Sequence, residues 1–541
     1  MLAVPAITSN GADLPASFDL VSVEVVREVN RIPYAQIVLT DGEVARAEFP
    51  ALDSDALAPG ATIEVKVRQG DEIVHLFKGQ VVKVRLEYSG GGPRLVAECK
   101  DKALRLTSTR RSVIYTEGSD SDAIAAVLRR SNLEAGDLGS SSAQSTLVQY
   151  ESTDWDFIVS RAEAAGTAVV VSDGALSLKP LGVAGAAERT LQLGIDEIED
   201  FELELDAGGQ HPELSAVAWD LPQGATTEPF SAEPMALAQG NVDPAEAGDK
   251  LGVGDAVLRH LVPMSPDELR AWASARLAQS RLAMIRGRLS VGGTDLSPMN
   301  LVELSGFGAR FNGKALVTGV RHSVESGQWR SDLRLGLSSE PFADPGEISA
   351  APAHGLLPAA RGLTIGIVSD YEDDPNGEYR LRLTLPGASD GEQALWARLA
   401  APEAGAERGF FFRPDPGDEV VVGFLADDPR QPVVLGALFG SKNKPPSAFA
   451  DLSADNAAKG LTTKHGISLA LDDRDGKAVV SLKTPKGLVT IDDDKGEMRL
   501  SDGNSNSILL DKDGVAITSG KDLKLEATGK LVLKGASIDA N

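Results

Sequence analysis

From Leu461 to Asn541 the chain alternates short aliphatic strands with Gly- and Asp-rich turns. Eight such strands read GISLAL, AVVSLK, LVTIDD, EMRLSD, SILLDK, VAITSG, LKLEAT and LVLKGASI. Apolar residues fall on every second position, the period of a strand with one dry face and one wet face. The dry set is Ile467, Leu469 and Leu471, then Val480 and Leu482, Ile491, Met498 and Leu500, Ile508 and Leu510, Val515 and Ile517, Leu523 and Leu525, and Leu531 and Leu533. Turns such as RDG, PKG, DKG and DKDG separate the strands, since Gly and Asp reach the backbone angles that tight turns need. The stretch holds no Phe, Tyr, Trp or Cys. Two or three inward aliphatic side chains per unit make a thin core, so units of this kind stack or intertwine with neighbours.

That constraint points to a multi-chain prism. Burying one aliphatic side chain contributes roughly 1.5–3 kcal/mol, and ordering one residue's backbone costs about 1–2 kcal/mol. A solitary chain would be marginal and would leave strand edges open. Three chains wound about one axis bury the faces together and complete the pairing. Eight levels at about 4.8 Å give a rod on the order of 40 Å long.

A chain of 541 residues exceeds one core and is expected to form three or four domains. The formal net charge of -26 argues against a phosphate-backbone or anionic-membrane binder. Residues 461–541 hold 12 Lys+Arg and 13 Asp+Glu, a net of -1, so the remaining -25 lies upstream. The single cysteine, Cys99, excludes an intrachain disulfide and leaves no cysteine cluster for zinc; it reads as a buried small hydrophobe. The N-terminus lacks the basic segment and apolar run of a signal peptide, so synthesis in the cytoplasm is expected. No stretch approaches the roughly 20 apolar residues of a membrane helix.

Residues 1–345 mix strands with three helices. The first runs from Asp122 to about Ser131, capped by Ser119 or Ser121, with Ile124, Val127 and Leu128 on one face. The second covers Asp154 to Ala165, capped by Thr153, with Trp155, Ile158 and Val159 inward. The third opens on the capping box Ser265-Pro266-Asp267-Glu268 and continues to about Met284. A Pro/Ala/Gly-rich stretch at 341–362 provides a linker, set at 346–362. Residues 363–440 offer five short strands, which suit a small OB-type barrel. A second linker, 441–460, leads into the repeat at 461–541.

The stretch GFFFRPDPGDEVVVGFLADDPRQPVVLGALFGSKNKPP (409–446) resembles the OB segment of the VgrG family, the central spike proteins of contractile injection systems. DWDFIVSRAEAAG (154–166) and LVTGVRHSVESGQW (316–329) resemble a hub helix and a hub strand of that family, and VNRIPYAQIVLTDG (29–42) looks closer to extracellular phage-tail-like particles. The repeat is similar to the family's needle. The resemblance covers nearly the whole chain. It implies a mainly β fold: an α+β hub of tandem β-barrels, an OB-fold barrel and a trimeric intertwined β-helix, or β-prism. It also implies a homotrimer that caps an inner tube, joins a baseplate, and pierces a target envelope when a sheath contracts. Ser537, Ile538, Asp539, Ala540 and Asn541 would seat a PAAR-like tip protein, with effector cargo a further partner and only transient membrane contact. The particle would act outside the cell after release. Where some phage spikes insert a lysozyme domain, this chain has about 20 linker residues, too few for a hydrolase core.

Other motifs read blandly. GASDG (387–391) matches a nucleophile elbow but sits between barrel strands with no helix behind it. The clusters Asp472/Asp473/Asp475, Asp492/Asp493/Asp494 and Asp511/Asp513 lack the spacing of a calcium loop and read as turn chemistry. His75, His211, His260, His322, His354 and His465 show no ligand spacing, and GALFGSK (436–442) is one residue short of a P-loop. Phe410, Phe411, Phe412 and Trp396 are expected in core packing or trimer contact. No catalytic residue, cofactor, metal or nucleic-acid site is expected. The competing readings are a peptidoglycan or glycan hydrolase and a receptor-binding tip module.

Overall fold

The computed structural model describes residues 2–140, 143–220, 223–260, 263–343, 352, 360–386, 394–450, 456–474 and 478–539. Two compact units divide the chain, Met1–Ala351 and Pro352–Asn541. The expected linker 346–362 and the GASDG motif fall almost wholly outside the described residues, as do Asp475, His354, Ala540 and Asn541.

The first unit is organised by one 13-stranded sheet. Its strands lie side by side in the order Ile198–Leu205, Ile285–Gly292, Gln328–Leu335, Gly313–Glu325, Asp19–Glu28, Tyr34–Thr40, Gly92–Lys100, Glu72–Ser89, Thr62–Gln69 and Ala3–Ser9. Alternation makes these strands. In Thr62–Gln69, Ile63, Val65 and Val67 point inward while their neighbours remain half-exposed. The sheet curls, and the Ala3 N–H donates to the Gly327 carbonyl at 2.8 Å. Two cores result. One gathers Val23, Val25, Ile37, Ile63, Leu95, Val324 and Trp329, and the other Leu289, Leu296, Val302, Val320 and Leu333. Strands Gly313–Glu325 and Gln328–Leu335 contribute to both.

Helices pack mainly against smaller sheets beside this one. Helix α1, Asp120–Arg130, starts two residues before the expected point, with Ser119 and Asp122 in a reciprocal capping box. Helix α2, Asp154–Ala164, is capped by Thr153. Ile124, Val127, Leu128, Trp155, Ile158 and Val159 are buried as their spacing predicts. A fourth α-helix among the described residues escapes the periodicity: α3, Pro244–Leu251. Its eight residues are too short to show an apolar stripe, but Asp243 caps it, Pro244 opens it and Gly252 closes it at φ 73°. Helix α4, Pro266–Ala283, opens at Ser265, whose side chain accepts from the Glu268 N–H.

The second unit opens with the five expected strands, Thr364–Val368, Leu381–Thr384, Leu395–Leu399, Glu419–Phe424 and Pro432–Ala437, which close into a barrel. The parallel pairing of Leu395–Leu399 with Pro432–Ala437 completes it. Val368, Leu381, Leu383, Ala397, Val420, Val422 and Val434 fill the interior. The aromatic run lies outside the barrel core, which corrects the core-packing half of the expectation. Phe410, Phe411 and Phe412 are 55–73% exposed, because they follow a small hairpin outside the barrel strands. Trp396 is half-buried beneath the Arg380 guanidinium.

Behind the barrel lies a seven-stranded antiparallel sheet: Ala458–Thr462, Ser468–Asp472, Val479–Lys483, Gly487–Asp492, Glu497–Asp502, Ser507–Asp511 and Gly514–Thr518. It departs from the sequence reading at both ends. Ala458–Thr462 is a strand drawn from the expected linker. LKLEAT and LVLKGASI, with Leu523, Leu525, Leu531 and Leu533, form no ladder among the described residues. Isolated strands have no hydrogen-bond partners of their own.

Candidate functional site: an aliphatic sheet face

Each strand of the C-terminal sheet pairs with the next, and the register puts the aliphatic residues in two unbroken columns. One runs Leu471, Val480, Ile491, Met498, Leu510, Val515. The other runs Leu461, Leu469, Leu482, Val489, Leu500, Ile508, Ile517. Leu461 and Val489 extend the set read from sequence. Leu461 lies at the repeat boundary, and Val489 follows Leu488, which blurs the alternation. Ile467 belongs to the turn before its strand, and Leu523, Leu525, Leu531 and Leu533 stand off the columns.

Burial on this sheet is inverted. The column side chains are 37–68% exposed. The opposite face, with Ser468, Ala470, Asp472, Ser481, Thr490 and Arg499, is half-buried. That polar face is braced from within. Arg474 meets Asp472 at 2.7 Å, Lys495 meets Asp492 at 2.7 Å, and Arg499 meets Glu497 at 3.1 Å. The Asp492 hydrogen bond raises the Lys495 pKa. In the next turn, Asn506 and Asn504 donate to Asp502 and hold its carboxyl well below the usual range. The turn aspartates are thus engaged by neighbouring amides and cations. Among the described residues, no group of three or more His, Cys, Asp or Glu side chains is placed to hold a metal.

Contiguous apolar surface of this extent on a soluble protein marks an interaction site. Its width is two residues, its length seven strands, or roughly 30 Å at about 4.8 Å per strand. It offers no titratable group and no aromatic ring. It can bind another aliphatic surface and little else.

The hub offers a contrasting feature, a cleft of about 910 Å³ lined by Tyr34, Trp155, Phe342, Glu28 and Glu163. Two of its carboxylates, Glu28 and Glu163, hold the fold. Glu28 pairs with Arg31 at 3.2 Å and Arg334 at 3.3 Å. Glu163 accepts from Asn30 Nδ2 at 3.2 Å and from the Phe342 N–H at 2.8 Å.

A family model for the Alg8 N-terminal domain matches residues 2–326, and one for the type VI secretion system/phage-baseplate injector OB domain matches residues 364–439. The chain belongs to the Alg8 N-terminal domain family. Among curated relatives, this chain is 42% identical over 140 residues to the type VI secretion system spike protein VgrG5 of Pseudomonas aeruginosa, covering 24% of this chain and 17% of that one. It is 29% identical over 117 residues to the actin cross-linking toxin VgrG1 of Vibrio cholerae, covering 21% and 11%. The matches thus span between about a tenth and a fifth of those relatives' length. Among solved structures, the tail protein from Neisseria meningitidis MC58 aligns with a TM-score of 0.46 and 16% identity, over 64% of this chain and 99% of that one. The E. coli c3393 protein of the type VI secretion system aligns at 0.41 and 14%, over 80% and 99%.

Proposed function

We propose that this chain is the structural central spike of a contractile injection system and that it works as a homotrimer. The observation that carries this reading is the inverted sheet, whose aliphatic columns face solvent in a single chain while its polar face is half-buried. Two further copies supply the only chemistry that such a face accepts, more aliphatic surface of the same width. The VgrG-type relatives supply the mechanical context. In it the hub meets the inner tube and baseplate, and the OB barrel carries the C-terminal sheet. The end near Ser537, Ile538 and Asp539 receives a PAAR-like tip protein. Penetration is then driven by sheath contraction rather than by affinity for lipid, and the particle acts outside the cell that made it. Effector cargo would ride on the same assembly.

The spike itself is non-enzymatic on this reading, and the engagement of Glu28 and Glu163 in ion pairs and amide bonds supports it. Image averages of the purified full chain test the assembly and should show three-fold symmetry; two-fold or single-chain particles would reject it. Zymography on peptidoglycan should show no clearing, and clearing would favour the hydrolase.

A further inference from the structure

Strand alternation points Val420, Val422 and Val434 into the OB barrel. The same alternation turns Ile365, Val421 and Val433 outward on three adjacent strands, with Ile365 opposite Val421 and Gly423 opposite Val433. The register slips between Val421 and Val422, and the extra residue of the facing strand, Leu435, is exposed. Leu363, just before the first of these strands, is exposed as well. Both leucines flank Gly423: a Cβ there would lie 3.4 Å from Leu363 Cδ2 and 3.7 Å from Leu435 Cδ1. The outer face of the barrel is therefore an aliphatic saddle with a glycine floor. Charge stands at its margins, with Glu419 opposite Ile367 and Arg398 opposite Val433.

The same barrel carries an aromatic knob. Phe410, Phe411 and Phe412 are exposed, and the rings of Phe410 and Phe412 stack with centroids 6.4 Å apart. The run is held at both ends. Before it, Ala404–Gly405 pairs with Arg408–Gly409, and the Phe410 N–H donates to the Glu403 carbonyl at 2.9 Å. After it, the Arg413 guanidinium lies 3.8 Å from the centre of the Tyr371 ring, whose hydroxyl donates to the Pro414 carbonyl at 2.8 Å and to Asp415 at 2.9 Å. Asp415 also meets Lys464 at 3.4 Å, in the turn between the first two strands of the C-terminal sheet. One carboxylate thus ties the knob to the sheet that bears the aliphatic columns.

We infer that the Phe410–Phe412 knob of one copy docks on the Leu363/Leu435 saddle of the next. This rests on the homotrimer proposed above and adds a second contact to it. A contact repeated around a three-fold axis joins two different patches, one from each neighbour. Knob and saddle meet that requirement: both are uncharged, both are wet in a single chain, and one protrudes where the other is floored by glycine. Because the knob is already fixed, little ordering is lost on docking. A second copy is the occupant because Asp415 and Lys464 carry the knob along with the sheet, so joining three sheets along their columns brings three knobs and three saddles together.

Cysteine cross-linking of the full chain tests this. Cys99 is the one native cysteine and is buried, so surface thiols report alone. Phe411 and Leu435 lie outside the barrel core, so Phe411→Cys and Leu435→Cys leave that core intact. Treated with a short bismaleimide, the double variant should run as a covalent trimer on a denaturing gel. Each single variant should stay uncrosslinked, since each patch meets the other kind. If the double variant fails to fold, Phe411→Asp and Leu435→Asp, each alone, should lower the temperature at which the trimer dissociates. Light scattering on the native chain separates the two claims, because a particle of one or two copies would overturn the homotrimer and this contact together. A trimer whose double variant does not cross-link, equal cross-linking in a single variant, or a dissociation temperature unmoved by both aspartates would overturn the contact alone and leave these faces to a different protein.

Discussion

At the scale of single residues, His322 couples the hub to pH. Its imidazole stays neutral in the folded state down to about pH 3, while an unfolded chain protonates it near 6.5. Between those values the unfolded state binds more protons, so stability is full above about 6.5 and is lost as pH falls through the window. Denaturant unfolding at pH 7 and pH 5 should show a marked loss for the native chain and a smaller one for His322→Gln; equal losses would contradict the assignment. Ser119 makes a second, independent case. Its capping box satisfies the first turn of α1, so Ser119→Ala should lower hub stability by about 1 kcal/mol in the same assay. These two residues differ in how far they can be read from sequence. The cap is a local pattern, Ser followed three residues later by Asp, and is visible directly. The burial of His322 beside Arg27 depends on pairing strands almost 300 residues apart, which no local pattern encodes. The aromatic run at Phe410–Phe412 misleads in the opposite direction, since apolarity alone does not separate core from loop.

At the scale of elements, the C-terminal sheet behaves unlike an ordinary amphipathic sheet. Its period-2 pattern is legible from sequence, and the columns follow from it almost residue for residue. Which face is wet is not legible, because alternation is the same whichever side is covered. That distinction yields a discriminating substitution. Leu482 is 47% exposed in one chain, so a solitary chain would accept Leu482→Asp with little cost. In a trimer the change sets three carboxylates against one another in a dry core, where each lost side chain forfeits roughly 1.5–3 kcal/mol and each buried charge costs more. Sedimentation should therefore show Leu482→Asp dissociated at concentrations at which the native chain is assembled. An unchanged assembly would show that the columns are not its interface. The short α3 and the strand Ala458–Thr462 escape the sequence reading for a common reason: neither is long enough to display its own period.

At the scale of the whole molecule, the residues beyond Thr518 divide the single chain from the assembly. Leu523, Leu525, Leu531 and Leu533 keep strand alternation yet find no ladder among the described residues of one copy. On the trimeric account they gain partners from neighbouring copies. Their amides should then be protected from hydrogen exchange in the native assembly and exchange freely in Leu482→Asp; free exchange in both would mean that this segment stays unpaired. The seven-stranded sheet and the unpaired tail thus make the same demand, that two further chains complete what one begins. Light scattering on the purified full chain measures that demand most directly. The account predicts a particle of three times 56.7 kDa, held without change on dilution through the micromolar range, whereas a stable particle of one or two chains with an ordered C-terminal sheet would contradict it.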